Sequence, residues 1–301
     1  MGLRDVVTTL VYLRFVAESR FWPLPTSGHA SKADHRLEIL MNPVRVLVCT
    51  PCVGQMVTTT YVGSILKLQS HRFGSRDVAF SYNFLSISDV YKSRNYFAAL
   101  FMEKTVFTHL LFIDSDMGFE PQLIEKLLDF DKDVTAALCP YRERDPVKFH
   151  GVARKIDDPH LAERLSLDFV SGGDIVRAAG TSENPQYRVT NGFVRVNSIG
   201  AGIMLLQRSV FVRLRELYPD LIGPEQQMPY AKMGIKQRVH QCFSPVRTSD
   251  GNFLSEDKSF CARWTSSGGE IWACIDENIA HVGPCTYEGA YIERMRAGFF
   301  Q

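Results

Sequence analysis

Strand-like runs at residues 44–49, 77–86, 109–113 and 134–138 alternate with stretches of helical periodicity at residues 61–69, 89–103 and 121–130. This alternation limits the fold more than any other feature. A strand that is apolar at successive positions is buried on both faces, and helices between such strands supply the cover. The expected class is α/β, with a mostly parallel central sheet flanked by helices. Ligands of such sheets bind beyond the carboxyl ends of the strands.

Composition narrows the function classes. Of 301 residues, 45% are hydrophobic, and 34 Lys+Arg face 33 Asp+Glu. That is enough apolar material for a packed core and excludes a disordered chain. So even a charge balance lacks the basic footprint of a nucleic-acid binder, and no nucleic-acid partner is expected. No apolar run approaches the ~18 residues of a membrane span, so no transmembrane segment is expected; peripheral membrane contact stays open. Seven irregularly spaced cysteines suggest reduced thiols and a cytoplasmic location. Cys49 and Cys52 form a C-x-x-C, but a further loop, Val53-Gly54-Gln55, follows where a redox motif would start its helix.

Residues 1–40 read as a leader, weakly ordered or belonging to a mis-assigned start, with Met41 as the other start. Residues 41–301 read as one domain. Its second half is less regular. A hairpin is expected over residues 187–196, turning at Asn191-Gly192. Residues 199–206 form an apolar stretch carrying Gly200 and Gly202, and a helix follows at 210–217. Residues 219–254, rich in Pro, Gly, Gln and Ser, read as a long functional loop that holds an acceptor. A helix over Glu256–Ser266 and a strand over 270–275 complete the pattern.

The chemistry concentrates where the apolar strand His109–Ile113 stops at Asp114-Ser115-Asp116. Two carboxylates one residue apart repel unless a proton or a cation sits between them, and hard oxygen ligands suit Mg²⁺ or Mn²⁺. The plainer reading is helix capping by Asp and Ser. Ser255-Glu256-Asp257 places two acids at a helix start. There an acid serves either as a general base or as a complement to the helix dipole. His281 follows a short apolar segment and suits a third ligand beside two aspartates. Arg142, Arg144 and Lys148 form a charged turn that is either solvated or a support for a diphosphate.

In this order, Thr50-Pro51, Ser93-Arg94-Asn95, Asp114-Ser115-Asp116, Gly200-Ala201-Gly202, Ser255-Glu256-Asp257 and His281 resemble the GT-A glycosyltransferases. The likeness spans residues 44–283 and is nearest to family-two-like bacterial and viral enzymes, with a fainter likeness to mannan polymerase subunits. It implies transfer of a sugar from a nucleotide-diphosphate donor, such as a UDP- or GDP-sugar, to a glycan or other hydroxyl acceptor. It implies Mn²⁺ or Mg²⁺ as cofactor, held by Asp114, Asp116 and His281, with Asp116 the more direct ligand and Asp114 nearer the ribose. Thr50, Pro51, the adjoining loop, Arg94 and Asn95 would border the nucleotide. Gly200, Ala201 and Gly202 would lie beside the sugar. Asp257 would be the base of an inverting enzyme, and Glu256 would orient the acceptor. Two other readings compete. One is a non-catalytic nucleotide-sugar or glycan-binding module of the same fold. The other is a haloacid-dehalogenase-like phosphatase, whose motif wants Thr or Val where Gly118 stands.

Overall fold

The computed structural model describes residues 10–11, 43–180, 185–223, 230–284 and 291–297. The expected leader lies outside the described residues except for β1 (Leu10–Val11). Then follow β2 (Val44–Pro51), α1 (Thr59–Ser70), β3 (Val78–Leu85), α2 (Val90–Glu103), β4 (His109–Ile113), β5 (Met117–Gly118), α3 (Pro121–Asp129) and β6 (Val134–Ala137). Next come α4 (Pro146–Ala153), α5 (Pro159–Leu165), β7 (Arg177–Gly180), β8 (Pro185–Tyr187), β9 (Phe193–Val196), β10 (Ile203–Gln207) and α6 (Arg208–Leu217). The described chain closes with α7 (Glu256–Ser266), β11 (Ile271–Cys274), β12 (Ala280–His281) and α8 (Tyr291–Arg296).

Eight of the described strands form one sheet in the order β1-β3-β2-β4-β10-β6-β11-β9. β2, β3, β4, β6 and β11 share one direction, whereas β1, β9 and β10 run against them. The protein is thus a mixed α/β fold, its central sheet mostly parallel and flanked by helices. Reversed β10 sits between β4 and β6, so the segment entering it, Gly200–Gly202, lies at the edge where β4 and β6 end.

Side-chain alternation along the strands divides the core. On β4, Leu110 and Phe112 face the layer with α2, α6 and α7, where Phe97, Phe101, Phe211, Phe260 and Trp264 pack. Leu111 and Ile113 face Tyr61, Ile65 and Leu68 of α1 and Leu123, Ile124 and Leu127 of α3. All four β4 residues are fully buried, as strands covered on both faces require.

Three sequence expectations change. Asn191 and Gly192 do make the turn, both with positive φ, and Thr190 bridges Phe193 across it. The arms then part, because β8 pairs with β7 and β9 pairs with β11. Residues 141–170 carry two helices where only charged turns were expected, each opened by an Asp N-cap and a Pro: Asp145-Pro146 and Asp158-Pro159. Part of residues 219–254 packs against the core, while residues 249–253 are exposed. Phe243 stacks on Phe260 at 4.5 Å and meets Phe112 edge-on, and Tyr230, Ile235 and Cys242 are buried beside it. Among the described residues no helix is long and apolar enough to cross a membrane.

Candidate functional site

The Asp114-Ser115-Asp116 turn is pinned by its backbone. Asp114 donates its N–H to the Gly202 carbonyl at 2.8 Å, Thr58 donates to Ser115 O at 2.9 Å, and Val282 donates to Asp116 O at 2.9 Å. The last contact extends the two-stranded pairing of β5 with β12, where His281 stands opposite Met117. A late histidine is thereby delivered to the end of β4. Gly202 packs against the Met117 side chain, whose Cε would lie 2.5 Å from a Cβ there.

A cavity of about 220 Å³ opens at this edge, lined by Arg94, Asp114, Asp116, Arg142, Val170, Gly200, Ala201, Gly202, Glu256, Asp257 and His281 among others. Nine residues singled out from sequence for substrate, metal or catalysis converge here. Thr50, Pro51 and Asn95 do not. Thr50 is buried with its hydroxyl 2.6 Å from Tyr61 Oη. Asn95 accepts from Phe243 N–H at 2.9 Å and donates to Ser244 Oγ at 3.2 Å, fastening the packed segment instead.

The two acids of the turn have different partners. Arg94, only 2% exposed, donates from Nη2 to both oxygens of Asp114 at 3.0 and 3.2 Å and from Nε to Glu256 Oε1 at 3.3 Å. Its guanidinium also lies 5.0 Å from the Phe112 ring centre. Burial opposes the Arg94 charge, but Asp114, Glu256 and Asp257 outweigh it and hold its pKa up. Burial pushes the Asp114 carboxyl above its ordinary range, and Arg94 offsets only part of that. Asp116 faces Arg142 instead, with Nη1 2.8 Å from Oδ2. His281 Nε2 lies 3.6 Å from the same oxygen, which is an ion-pair distance and not a hydrogen bond. Burial works against the Asp116 carboxylate, yet His281 and Arg142 bring it below its usual range. Burial likewise opposes the His281 charge, and Asp116 with the Pro140 carbonyl raises its pKa in spite of it.

His281 Nδ1 lies 2.8 Å from Pro140 O. A carbonyl only accepts, so Nδ1 carries the hydrogen, and in the neutral ring Nε2 presents its lone pair toward Asp116. Two electron-rich atoms facing each other at 3.6 Å fit a small cation, whose ligand distances are ~2.1 Å, or a proton. Asp114 fits less well, because Arg94 already uses both its oxygens. Among the described residues no three His, Cys, Asp or Glu side chains converge as a metal-ligand set. On α7, Asp257 Oδ1 accepts from the Ser255 hydroxyl and from Lys258 N–H. Its Oδ2 lies near Gly200, where a Cβ would touch it at 3.6 Å.

Sequence reasoning left Arg142 between a solvated turn and a diphosphate support, and it lines the cavity. Its neighbours do not: Arg144 pairs with Glu163 and Lys148 with Asp168. The six described cysteines, Cys49 and Cys52 included, are buried and free. Burial raises the Cys49 and Cys52 thiols above their ordinary pKa, opposite to a reactive pair.

No family model matches the chain, and no curated protein matches it. Among solved structures, the chain is similar to A197 from STIV at a TM-score of 0.40 and 13% identity, over 80% of this chain and 87% of that one. It is similar to the apo form of mouse xyloside xylosyltransferase 1 at a TM-score of 0.30 and 11% identity, over 73% and 81% of the two chains. A Bacillus anthracis protein assigned as a glucose-1-phosphate thymidylyltransferase, in complex with sucrose, aligns at a TM-score of 0.30 and 10% identity, over 64% and 84%. Likeness this distant carries no argument about the site, whose reading rests on the residues themselves.

Proposed function

We infer that the protein is a GT-A-type glycosyltransferase that moves a sugar from a nucleotide-diphosphate donor to a hydroxyl acceptor, with inversion. The observation that carries this reading is the convergence of Asp116, His281, Glu256 and Asp257 on one cavity at the carboxyl edge of the sheet. Three separate parts of the chain supply these groups, and a pair of capping acids would need none of the others.

The residues then take the following parts. Asp116 and His281 hold the cation, Mn²⁺ or Mg²⁺, which when bound neutralises the charge growing on the diphosphate leaving group. Asp114, fixed by Arg94, accepts hydrogen bonds from ribose or sugar hydroxyls. Gly200 and Gly202 keep the sugar's position clear. Asp257 Oδ2 takes the proton of the acceptor hydroxyl as that oxygen bonds to C1 and the C1–O bond to the diphosphate breaks. Glu256 orients the acceptor.

The non-catalytic binding module draws on one observation: arginines already neutralise both Asp114 and Asp116. Turnover separates the two readings. Purified protein is incubated with UDP-, GDP- and dTDP-sugars and Mn²⁺, and sugar release is followed with and without EDTA. The enzyme reading expects release that EDTA abolishes and that Asp257→Asn lowers by about 10²–10⁴-fold, the usual contribution of a general base, while donor binding persists. Donor binding without any release favours the module, and an unchanged rate in Asp257→Asn removes Asp257 as the base.

A further inference from the structure

We propose that Arg142 is a displaceable counter-ion, holding Asp116 until a divalent cation competes it off. The inference rests on the reading of Asp116 and His281 as the cation-holding pair. Arg142 Nη1 and His281 Nε2 address the same atom, Asp116 Oδ2, at 2.8 and 3.6 Å. A cation bound between Asp116 and His281 would meet the guanidinium as a like charge at contact distance, so the two occupants exclude each other.

The surroundings permit exchange for Arg142 and forbid it for Arg94. The Arg94 side chain is 2% exposed and divided between two carboxylates, so it neutralises Asp114 permanently. The Arg142 side chain is 50% exposed and has this one carboxylate as its ion-pair partner among the described residues. Its root is nevertheless fixed: Pro140 bridges Phe169, and Tyr141 N–H bonds to Asp168 O at 2.8 Å. A firm backbone with a half-exposed head suits a side chain that swings between two positions.

Gly283 passes close to the root of the same side chain. A Cβ there would stand 2.8 Å from Arg142 Cβ, 3.1 Å from Cδ and 3.2 Å from Cγ. Its backbone is not left-handed, so turn geometry does not call for glycine; its close approach to residue 142 does. Gly283 lies two residues beyond His281, so one short segment supplies both the imidazole and the groove for its competitor. Once released, the guanidinium remains at the mouth of the cavity, where its paired donors fit diphosphate oxygens.

The test is Mn²⁺ titration of the full chain, with free Mn²⁺ read by electron paramagnetic resonance, on the parent, Arg142→Met, Gly283→Ala, the double variant and Asp116→Asn. Thermal melts check that each is folded. Arg142→Met should bind Mn²⁺ about tenfold tighter, the scale of one removed like-charge contact. Gly283→Ala crowds the stem of arginine and methionine alike, so a gain in affinity confined to the arginine background supports the exchange. With Mn²⁺ saturating, Arg142→Met should bind UDP or GDP more weakly. Mn²⁺ binding by Arg142→Met that the parent lacks would also support the exchange. Unchanged or weaker Mn²⁺ binding in folded Arg142→Met overturns the proposal while leaving the cation reading intact, provided Asp116→Asn abolishes binding. If Asp116→Asn binds Mn²⁺ like the parent, or no variant binds it, both fall together.

Discussion

Arg94 shows how a single residue decides what an acidic cavity can be. Taking a guanidinium out of water is costly, and the cost is met in part by Asp114 and Glu256 on one side and the Phe112 ring beneath, while Nη1 stays buried without a hydrogen-bond partner. Arg94→Met would leave Asp114 facing Glu256 with no counter-charge. Loss of one partner from a buried ion pair costs about 3–5 kcal/mol. We therefore expect Arg94→Met to lower unfolding stability on that scale in urea titrations, and Asp114→Asn in the same background to restore part of it. A loss below 1 kcal/mol would mean that the cluster is not structurally important. At this scale much of the site was legible. The acids could be named because a strand that stops at Asp-Ser-Asp, and a helix that starts with Glu-Asp, advertise their chemistry locally; the two glycines came only with the family resemblance, and His281 from its aptness as a ligand beside two aspartates. Thr50 and Asn95 misled because a polar residue beside a sheet edge reads the same whether it faces a ligand or satisfies a buried neighbour. Arg142 stayed ambiguous for a different reason: Gly283, which makes room for it, is remote in sequence.

Among elements, β4 links stability to pH through its first residue. His109 Nδ1 lies 2.8 Å from Thr108 Oγ1, and burial is the main cause that lowers its pKa to about 4. The sign follows directly. Above the ordinary value of 6.5 the ring is neutral in both states and costs nothing. As pH falls toward 4, the unfolded chain takes up a proton that the folded one refuses, so stability declines. The decline should begin near pH 6.5, level off below pH 4 and total about 3 kcal/mol. Denaturant titrations across this window, compared with His109→Gln, measure it; equal slopes in both proteins would contradict it. Elements with strong local signals were readable, β4 and α3 above all. The helices α4 and α5 bury almost nothing, Ala162 being fully buried on α5 and no residue on α4. They lack the apolar stripe that betrays a helix, and only their Asp-Pro starts give them away. The arms of the residue 187–196 turn parted because pairing partners are chosen by the sheet, over distances that local patterning does not carry.

For the whole molecule, the alternation of strands and helices was enough to anticipate two core layers on either side of one sheet, because a strand apolar at successive positions, as β4 is, must be covered on both faces. The reversal of β10 was not legible, since an apolar run has no direction, yet it is this reversal that carries Gly200–Gly202 to the carboxyl edge. The near-neutral charge of the chain conceals a local imbalance: four carboxylates and two guanidiniums line the cavity. A cavity so charged favours a cation first and a cation-bound diphosphate second.

That order makes nucleotide binding the most direct measure of the central claim. Calorimetric titration of UDP and GDP into the protein, with Mn²⁺ and then with EDTA, tests whether the cavity at the end of β4 is a metal-assisted diphosphate site. Binding of at least one nucleotide should require Mn²⁺ and be lost in folded Asp116→Asn. Equal binding in EDTA, or undiminished binding by Asp116→Asn, would contradict it.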